Sequence, residues 1–304
     1  MDYVLIDANS IGYAQHDGTK LTVNGFQTQA LFGFVRSLRN LVGKYQTASF
    51  IVLWDGRAQW RYDMYPEYKS NRDSLKPKEK ERKEAYKKQV PLIKYALKHL
   101  GITQAFDPDA EADDLAGYFV RHISVDKKKK ILLVTGDQDW LQLVKPNVMW
   151  FDPRIDLMIG MENFHKSTGY FSPEEFLQGK ALLGDTSDKI KGVGGIGKQG
   201  APEFLAQFGS VEEFWKLCES GEHQLKYKAH KSLYNGEGRE NFHRNMELMS
   251  LLKARDIKIY WTLGKLDKEK FRKLCEEMSF ISITKGLDMF FKPFEIRKAY
   301  KEQS

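Results

Sequence analysis

The sequence predicts an α/β fold with a mostly parallel central sheet flanked by helices, followed by a helical C-terminal region. Three observations support this. Short apolar runs at Tyr3–Ile6, Phe50–Trp54 and Ile131–Thr135 each lead directly into an aspartate-bearing turn. Helix-like stretches separate them, so the strands should be parallel, with their carboxyl ends along one edge. From about residue 172 the strand signal fades and helical signals take over.

Between the first two runs, Phe26, Ala30, Leu31, Phe34, Val35, Leu38, Leu41 and Val42 recur at helical spacing. Asp7, Asp55, and Asp137 with Asp139 stand at the ends of the three runs, where ligands gather in open α/β sheets. A single strand-end aspartate is ordinarily a turn or cap residue. Three on one edge point to a shared cation.

Ahead of the third run, Asp109, Glu111, Asp113 and Asp114 crowd the start of an apolar, helix-like segment. A helix N-terminus favours negative charge by roughly 0.3–1 kcal/mol per group, but repulsion grows with each added carboxylate. Protonation, splaying into water or a hard divalent ion such as Mg²⁺ relieves it. Taken alone, the stretch reads equally well as a solvated acidic cap. In a regular helix Glu111 and Asp114 share a face while Asp113 points away. The helix is therefore expected to begin after Glu111, letting all three acids reach ions shared with Asp137 and Asp139.

Between Trp60 and Pro91 aromatics and bases interleave at Arg61, Tyr62, Tyr65, Tyr68, Lys69 and Arg72, and a lysine-rich stretch follows. Glu79, Glu81 and Glu84 make that stretch an exposed, salt-bridged helix. The first part suits base stacking and phosphate contact at a single strand, within a lid. Lys127–Lys130 reads as a solvated connection.

With 304 residues, 41% of them hydrophobic, the chain can bury a sizeable core as one large domain or two closely joined ones. A net charge of +7 and a pI near 9.1 favour a polyanionic partner. No basic leader precedes an apolar run, and no apolar stretch nears the ~20 residues of a membrane span, so a soluble cytoplasmic protein is expected. Cys218 and Cys275 are too far apart in sequence to suggest a disulfide framework or a zinc motif.

Downstream, Ser172 and Pro173 open a helix that ends at Gly184, and Asp185 and Asp188 follow. Gly192-Val-Gly-Gly-Ile-Gly197 matches the dinucleotide fingerprint literally but lacks its preceding strand. A glycine-rich turn before a helix still offers backbone N–H groups to phosphate, here as a DNA-backbone clamp. Residues 211–304 read as helices. Within them Thr284–Phe291 is similar to sliding-clamp-binding boxes, with Thr284 in place of the expected Gln, and alternatively is an apolar helix closing the core.

Together these residues resemble the bacterial and phage branch of the flap endonuclease family, similar to the 5′-nuclease domain of DNA polymerase I. The markers, in family order, are Leu5-Ile-Asp7, Trp54-Asp-Gly56, Pro66–Arg72, Glu111-Ala-Asp-Asp114, Thr135–Trp140, Gly184–Asp188 and Gly192–Gly197. The resemblance covers most of the chain. It implies an α/β nuclease domain at 1–171 with a basic helical arch at about 60–91. It further implies a helical DNA-binding region at 172–304 with a helix-hairpin-helix at about 185–208.

By the same resemblance, Asp7, Asp55, Glu111, Asp113, Asp114, Asp137 and Asp139 on one side, with Asp185 and Asp188 on the other, hold two Mg²⁺ ions, for which Mn²⁺ substitutes. Lys69 and Arg72 fall on catalytic basic positions, with Tyr68 beside them contacting DNA. Residues from about Ser74 to Gln89 form the arch that admits a single-stranded 5′ end. Gly192, Gly194, Gly195 and Gly197 with Lys198 bind duplex backbone, and K⁺ binds through main-chain carbonyls. The chain departs from the family here: Lys198 directly follows Gly197, and Gln199 stands where lysine is common.

The implied activity is two-metal hydrolysis of phosphodiester bonds, as a 5′→3′ exonuclease and flap endonuclease. Its substrate is DNA with a 5′ flap or single-stranded 5′ end, or an RNA–DNA hybrid. A monomer in bacterial cytoplasm, or a phage protein in its host, recruited by a clamp or single-strand-binding protein, fits that role in DNA replication and repair. Competing readings are a non-catalytic DNA-junction binder, a single-strand ribonuclease and a nucleotide-dependent oxidoreductase.

Overall fold

The computed structural model describes residues 1–72, 76–253 and 255–303. Seven strands form the central sheet, in the order Tyr260–Thr262, Thr103–Phe106, Ser49–Trp54, Tyr3–Asp7, Ile131–Val134, Val148–Asp152, Leu157–Ile159. The five inner strands run parallel and both edge strands are antiparallel to their neighbours. The winding direction reverses between Tyr3–Asp7 and Ile131–Val134. In sheets wound this way, the crevice outside the carboxyl ends at the reversal is the binding site.

All five inner strands end at, or run into, an aspartate: Asp7, Asp55, Asp107, Asp137 and Asp152. Asp107 and Asp152 extend the pattern beyond the sequence reading, and both are neutralised or satisfied locally. Asp107 accepts hydrogen bonds from the backbone N–H groups of Asp109 and Lys258, and Asp152 pairs with Arg154.

Alternation along the first strand divides the core between the two faces of the sheet. Val4 and Ile6 pack with residues of the Gln29–Lys44, Pro77–His99 and Leu287–Gln303 helices. Leu5 faces the Ala112–Ile123 helix, and the same cluster continues into Phe204, Phe208 and Phe214 of the helical region. In that region Ser172 and Ser210 cap their helices by accepting from the N–H groups of Glu175 and Glu213.

Three expectations are corrected. The chain after 172 is not helical throughout: Tyr260–Thr262 returns as an edge strand, and Phe271, Phe290, Phe291 and Phe294 complete a sheet-facing core. The clamp-box reading of 284–291 gives way for the same reason, because Phe290 and Phe291 are buried. The basic excursion does not end at Pro91, which lies inside one 23-residue helix, Pro77–His99. That helix is exposed through Arg82, then buries Tyr86, Gln89, Ile93, Ala96 and Leu97. The Gln89 side chain accepts from the N–H groups of Ala30 and Leu31, satisfying the open start of the Gln29–Lys44 helix. Of the expected arch, Ser74 lies outside the described residues.

Phe291→Ala should cost about 3–5 kcal/mol by opening a cavity among Phe271, Phe290 and the sheet. Exposed Lys128→Ala should stay within about 0.5 kcal/mol. Urea unfolding of both variants measures the difference.

Candidate active site

A cavity of about 750 Å³ opens at the carboxyl edge of the sheet. Asp7, Asp55, Glu111, Asp113, Asp137, Asp139, Asp185 and Asp188 line it, with Lys69, Arg82, Arg154 and Lys180 as the cations. The sheet supplies some of these acids, the start of the Ala112–Ile123 helix others, and the turn after Pro173–Leu183 the last two.

Fixed donors orient the acids. Asp7 caps the Ala8–His16 helix, accepting from Ser10 N–H at 3.0 Å and from Thr135 Oγ1 at 2.8 Å. Asp55 accepts from Asn9 Nδ2 and from the N–H of Ala112, both at 2.7 Å, so it satisfies the start of the acidic helix. The Trp140 indole N–H donates to Asp113 at 2.7 Å, and the Asp139 N–H donates to Asp137 at 2.8 Å. That helix starts at Ala112 with Glu111 extended before it, as expected, but of the three acids this was to bring together only Glu111 and Asp113 face the cavity.

Two lysines bridge the acids. Lys69 lies 2.5 Å from Glu111 and 3.6 Å from Asp188, and Lys180 lies 2.5 Å from Asp139 and 3.2 Å from Asp185. Each ammonium thus links a carboxylate of the α/β part to one of the 185–188 turn. Lys69 sits in the left-handed region (φ 54°), and its N–H donates to the Asp188 carbonyl at 2.9 Å, so the strained backbone is pinned where the two segments meet.

The remaining repulsion appears in the titration of the acids. Burial, then the Asp55 charge, raises Asp7 to about 6. Desolvation by the surrounding protein, then the Asp139 charge beside it, pushes Asp137 up to about 7. Burial and Asp137 hold Asp113 well above the ordinary carboxylate range. Asp185 falls below that range: burial opposes the shift, but the Ser187 hydroxyl and the Lys180 ammonium outweigh it.

Among the described residues, no three or more His, Cys, Asp or Glu side chains form a ready-made metal cage. The donors facing the cavity are nonetheless carboxylate oxygens, without thiolate or imidazole, which suits a hard divalent cation. The lysine ammonium groups stand where added positive charge is favoured.

Residues 2–176 match the family model described as 5′-3′ exonuclease, N-terminal resolvase-like domain, and residues 171–273 match 5′-3′ exonuclease, C-terminal SAM fold. The chain belongs to the 5′-3′ exonuclease family. It is 29% identical to a 5′-3′ exonuclease of Aquifex aeolicus, over 92% of each chain. Identity to a 5′-3′ exonuclease of Buchnera aphidicola is 30%, over 77% of this chain and 76% of the relative. DNA polymerase I of Lactococcus lactis subsp. cremoris is 30% identical over 71% of this chain, a match spanning 25% of the polymerase. Among solved structures, zinc-bound T5 5′-exonuclease aligns with a TM-score of 0.70 at 21% identity, covering 98% of this chain and all of that one. The T5 D15 flap endonuclease complex with DNA and metal ions gives 0.69 at 21%, with the same coverage. These alignments support a shared fold.

Within this exonuclease-family fold, eight of the nine acids proposed as metal ligands meet in the cavity. The ninth, Asp114, does not line it: Arg61 grips both of its oxygens at 2.7 Å, and its Oδ2 accepts from the Glu111 N–H. Tyr68 is also corrected as a DNA contact, because it is 3% exposed and donates its hydroxyl to Glu111 at 2.9 Å. The Arg72 side chain lies outside the described residues. Gly192, Gly194, Gly195, Gly197 and Lys198 form a separate surface, where Gly195 and Gly197 have no neighbouring atom within 4 Å of a built Cβ. Arg61, expected among the phosphate-contacting bases, is instead buried against Asp114 and Glu111. Lys180, Asn9, Thr135 and Arg154 were missed. In sequence Lys180 is only a helix-end lysine five residues before Asp185.

Asp114→Asn should destabilise the fold by about 1–3 kcal/mol, since it leaves the buried Arg61 guanidinium with Glu111 as its remaining counter-ion. Asp137→Asn should instead raise the thermal midpoint of the metal-free protein at pH 8. In metal-free buffer the raised Asp7 and Asp137 bind protons in the folded state that the unfolded chain has already released. Their contribution to stability is therefore greatest at low pH, falls as pH rises from about 4 to about 7, and levels off above. Calorimetry across that range should show the fall, and excess Mg²⁺ should flatten it.

Proposed function

We propose that the cavity hydrolyses phosphodiester bonds at the 5′ end of DNA, as a 5′→3′ exonuclease and flap endonuclease dependent on two Mg²⁺ ions. The carrying observation is the convergence of eight of the nine sequence-predicted ligand acids on one cavity at the sheet reversal, in a chain of the 5′-3′ exonuclease family. Bound divalent ions would acidify the attacking water and neutralise charge on the phosphoryl group and leaving oxygen. Glu111, Asp113, Asp137 and Asp139, with Asp7 and Asp55, would hold one group of ligand oxygens, and Asp185 and Asp188 the other. Mn²⁺ has the same preference for carboxylate and water oxygens.

Glu111 and Asp188, paired to Lys69, and Asp139 and Asp185, paired to Lys180, are among the acids that would hold these ions, and the two ammonium groups would then be available to a substrate phosphate. Lys69 then steadies the scissile phosphate, an anion that no carboxylate can approach unaided. Arg72 is proposed for the same role from its sequence position. Arg82, on the exposed part of the Pro77–His99 helix, lines the cavity and pairs with Asp17. Its position supports entry of a single-stranded 5′ end beside that helix. The 192–198 loop, followed by the Gly200–Phe208 helix, offers open backbone for duplex phosphates and for K⁺. An RNA–DNA hybrid offers the same phosphates to both surfaces.

A cleavage-site map on one labelled 5′-flap substrate tests activity and polarity together. Cleavage near the flap junction should require Mg²⁺ or Mn²⁺ and stop in EDTA. Asp139→Ala should lower kcat by at least about 10²–10³-fold. Tight, salt-sensitive binding without cleavage in either ion would make the chain a junction-binding protein instead.

A further inference from the structure

We infer that Arg154 is a substrate-positioning residue, whose guanidinium is set before DNA arrives to donate from its one unbonded terminal nitrogen to a single phosphate flanking the scissile one on the cleaved strand. This rests on the nuclease reading and assigns part of the substrate's path over that site.

Among the described residues four cations line the cavity, and they are held differently. Lys69 and Lys180 are paired with acids proposed to receive metal, and Arg82 with Asp17. Arg154 pairs with Asp152, which is 2% exposed and lies outside the cavity lining. Its place therefore does not depend on how the ligand acids are arranged.

The guanidinium is fixed along one edge. Nε lies 2.9 and 3.1 Å from the Asp152 oxygens, and one terminal nitrogen lies 2.7 Å from Asp152 and 3.0 Å from the Gly136 carbonyl. The Arg154 backbone N–H also donates to Asp152 at 2.9 Å. The other terminal nitrogen makes no hydrogen bond among the described residues, and the side chain is 47% exposed. Gly136 makes room for this: a Cβ there would fall 2.1 Å from the guanidinium carbon. The plane therefore rests on the residue next to Asp137, facing the space a strand must cross to reach the acids.

The remaining terminal nitrogen holds its two N–H donors in the fixed guanidinium plane, a directed charge-assisted contact for a phosphate oxygen that a flexible lysine ammonium does not reproduce. Pro153, within the tight turn joining two paired strands, limits the backbone freedom of the segment. Little ordering remains to be done on binding.

The test walks a single neutral methylphosphonate along the cleaved strand of a 5′-flap DNA. Binding is measured in EDTA and cleavage in Mg²⁺, for wild type, Arg154→Ala and Arg154→Lys. In the wild type, one position beside the scissile phosphate should weaken binding by about 10-fold. Arg154→Ala should bind unmodified DNA about 10-fold more weakly and show no further loss at that position, with a salt slope shallower by about 1. Arg154→Lys should recover only part of the loss.

Because Arg154→Ala leaves Asp152 buried and unpaired, the double variant Asp152→Asn/Arg154→Gln provides a charge-balanced control and should give the same flattened profile. A wild-type methylphosphonate profile in a folded variant would overturn the assignment and leave Arg154 as the counter-ion of Asp152. Failure of the wild type to cleave would remove the nuclease reading, and the EDTA binding profile separates that outcome from loss of the arginine contact.

Discussion

Carboxylates gathered in one cavity repel one another, and the surroundings of the cavity are arranged around that repulsion. Lys69 and Lys180 each span from the sheet side to the 185–188 turn, so the charges that would push the two segments apart instead tie them together. The ties are electrostatic and exchangeable.

The acids are also held by neutral donors that do not titrate. Thr135, Asn9, the Trp140 indole and several helix-start N–H groups fix the carboxylates from behind. Preorganisation of this kind places donors and charges before reaction, so less reorganisation is needed when substrate charge enters. Asp114 and Arg61 add to the same support. Their bidentate pair steadies Glu111, the residue on which Arg61, Tyr68 and Lys69 all converge.

Much of this was legible in the sequence because backbone periodicity fixes direction. Apolar runs ending at Asp7, Asp55 and Asp137 could only be parallel strands with a common edge, and the helix start at Ala112 followed from the spacing of Glu111, Asp113 and Asp114. What stayed hidden depends on partners far away in the chain. Asp114 reads like its neighbours until Arg61 is placed against it. Tyr68 reads as an exposed stacking residue until the cluster with Leu177, Ile190 and Leu248 encloses it. Phe290 and Phe291 likewise carry no mark of the side they will face, and Lys180 looks like any helix-end lysine until Asp139 is brought across from the sheet.

The Pro77–His99 helix has a further consequence for the order of its exposed basic turns. A short, lysine-rich segment alone in water would have to nucleate each time it formed, and few residues would repay that step. Here the buried turns from Tyr86 onward serve as a permanent nucleus, clamped by Gln89 against the next helix and by the Tyr86 hydroxyl on Asn9 at 3.0 Å. The exposed turns only have to propagate outward from it. A strand meeting that helix therefore meets a formed rod, whose fixed end is connected through Asn9 to Asp55 in the acid cavity.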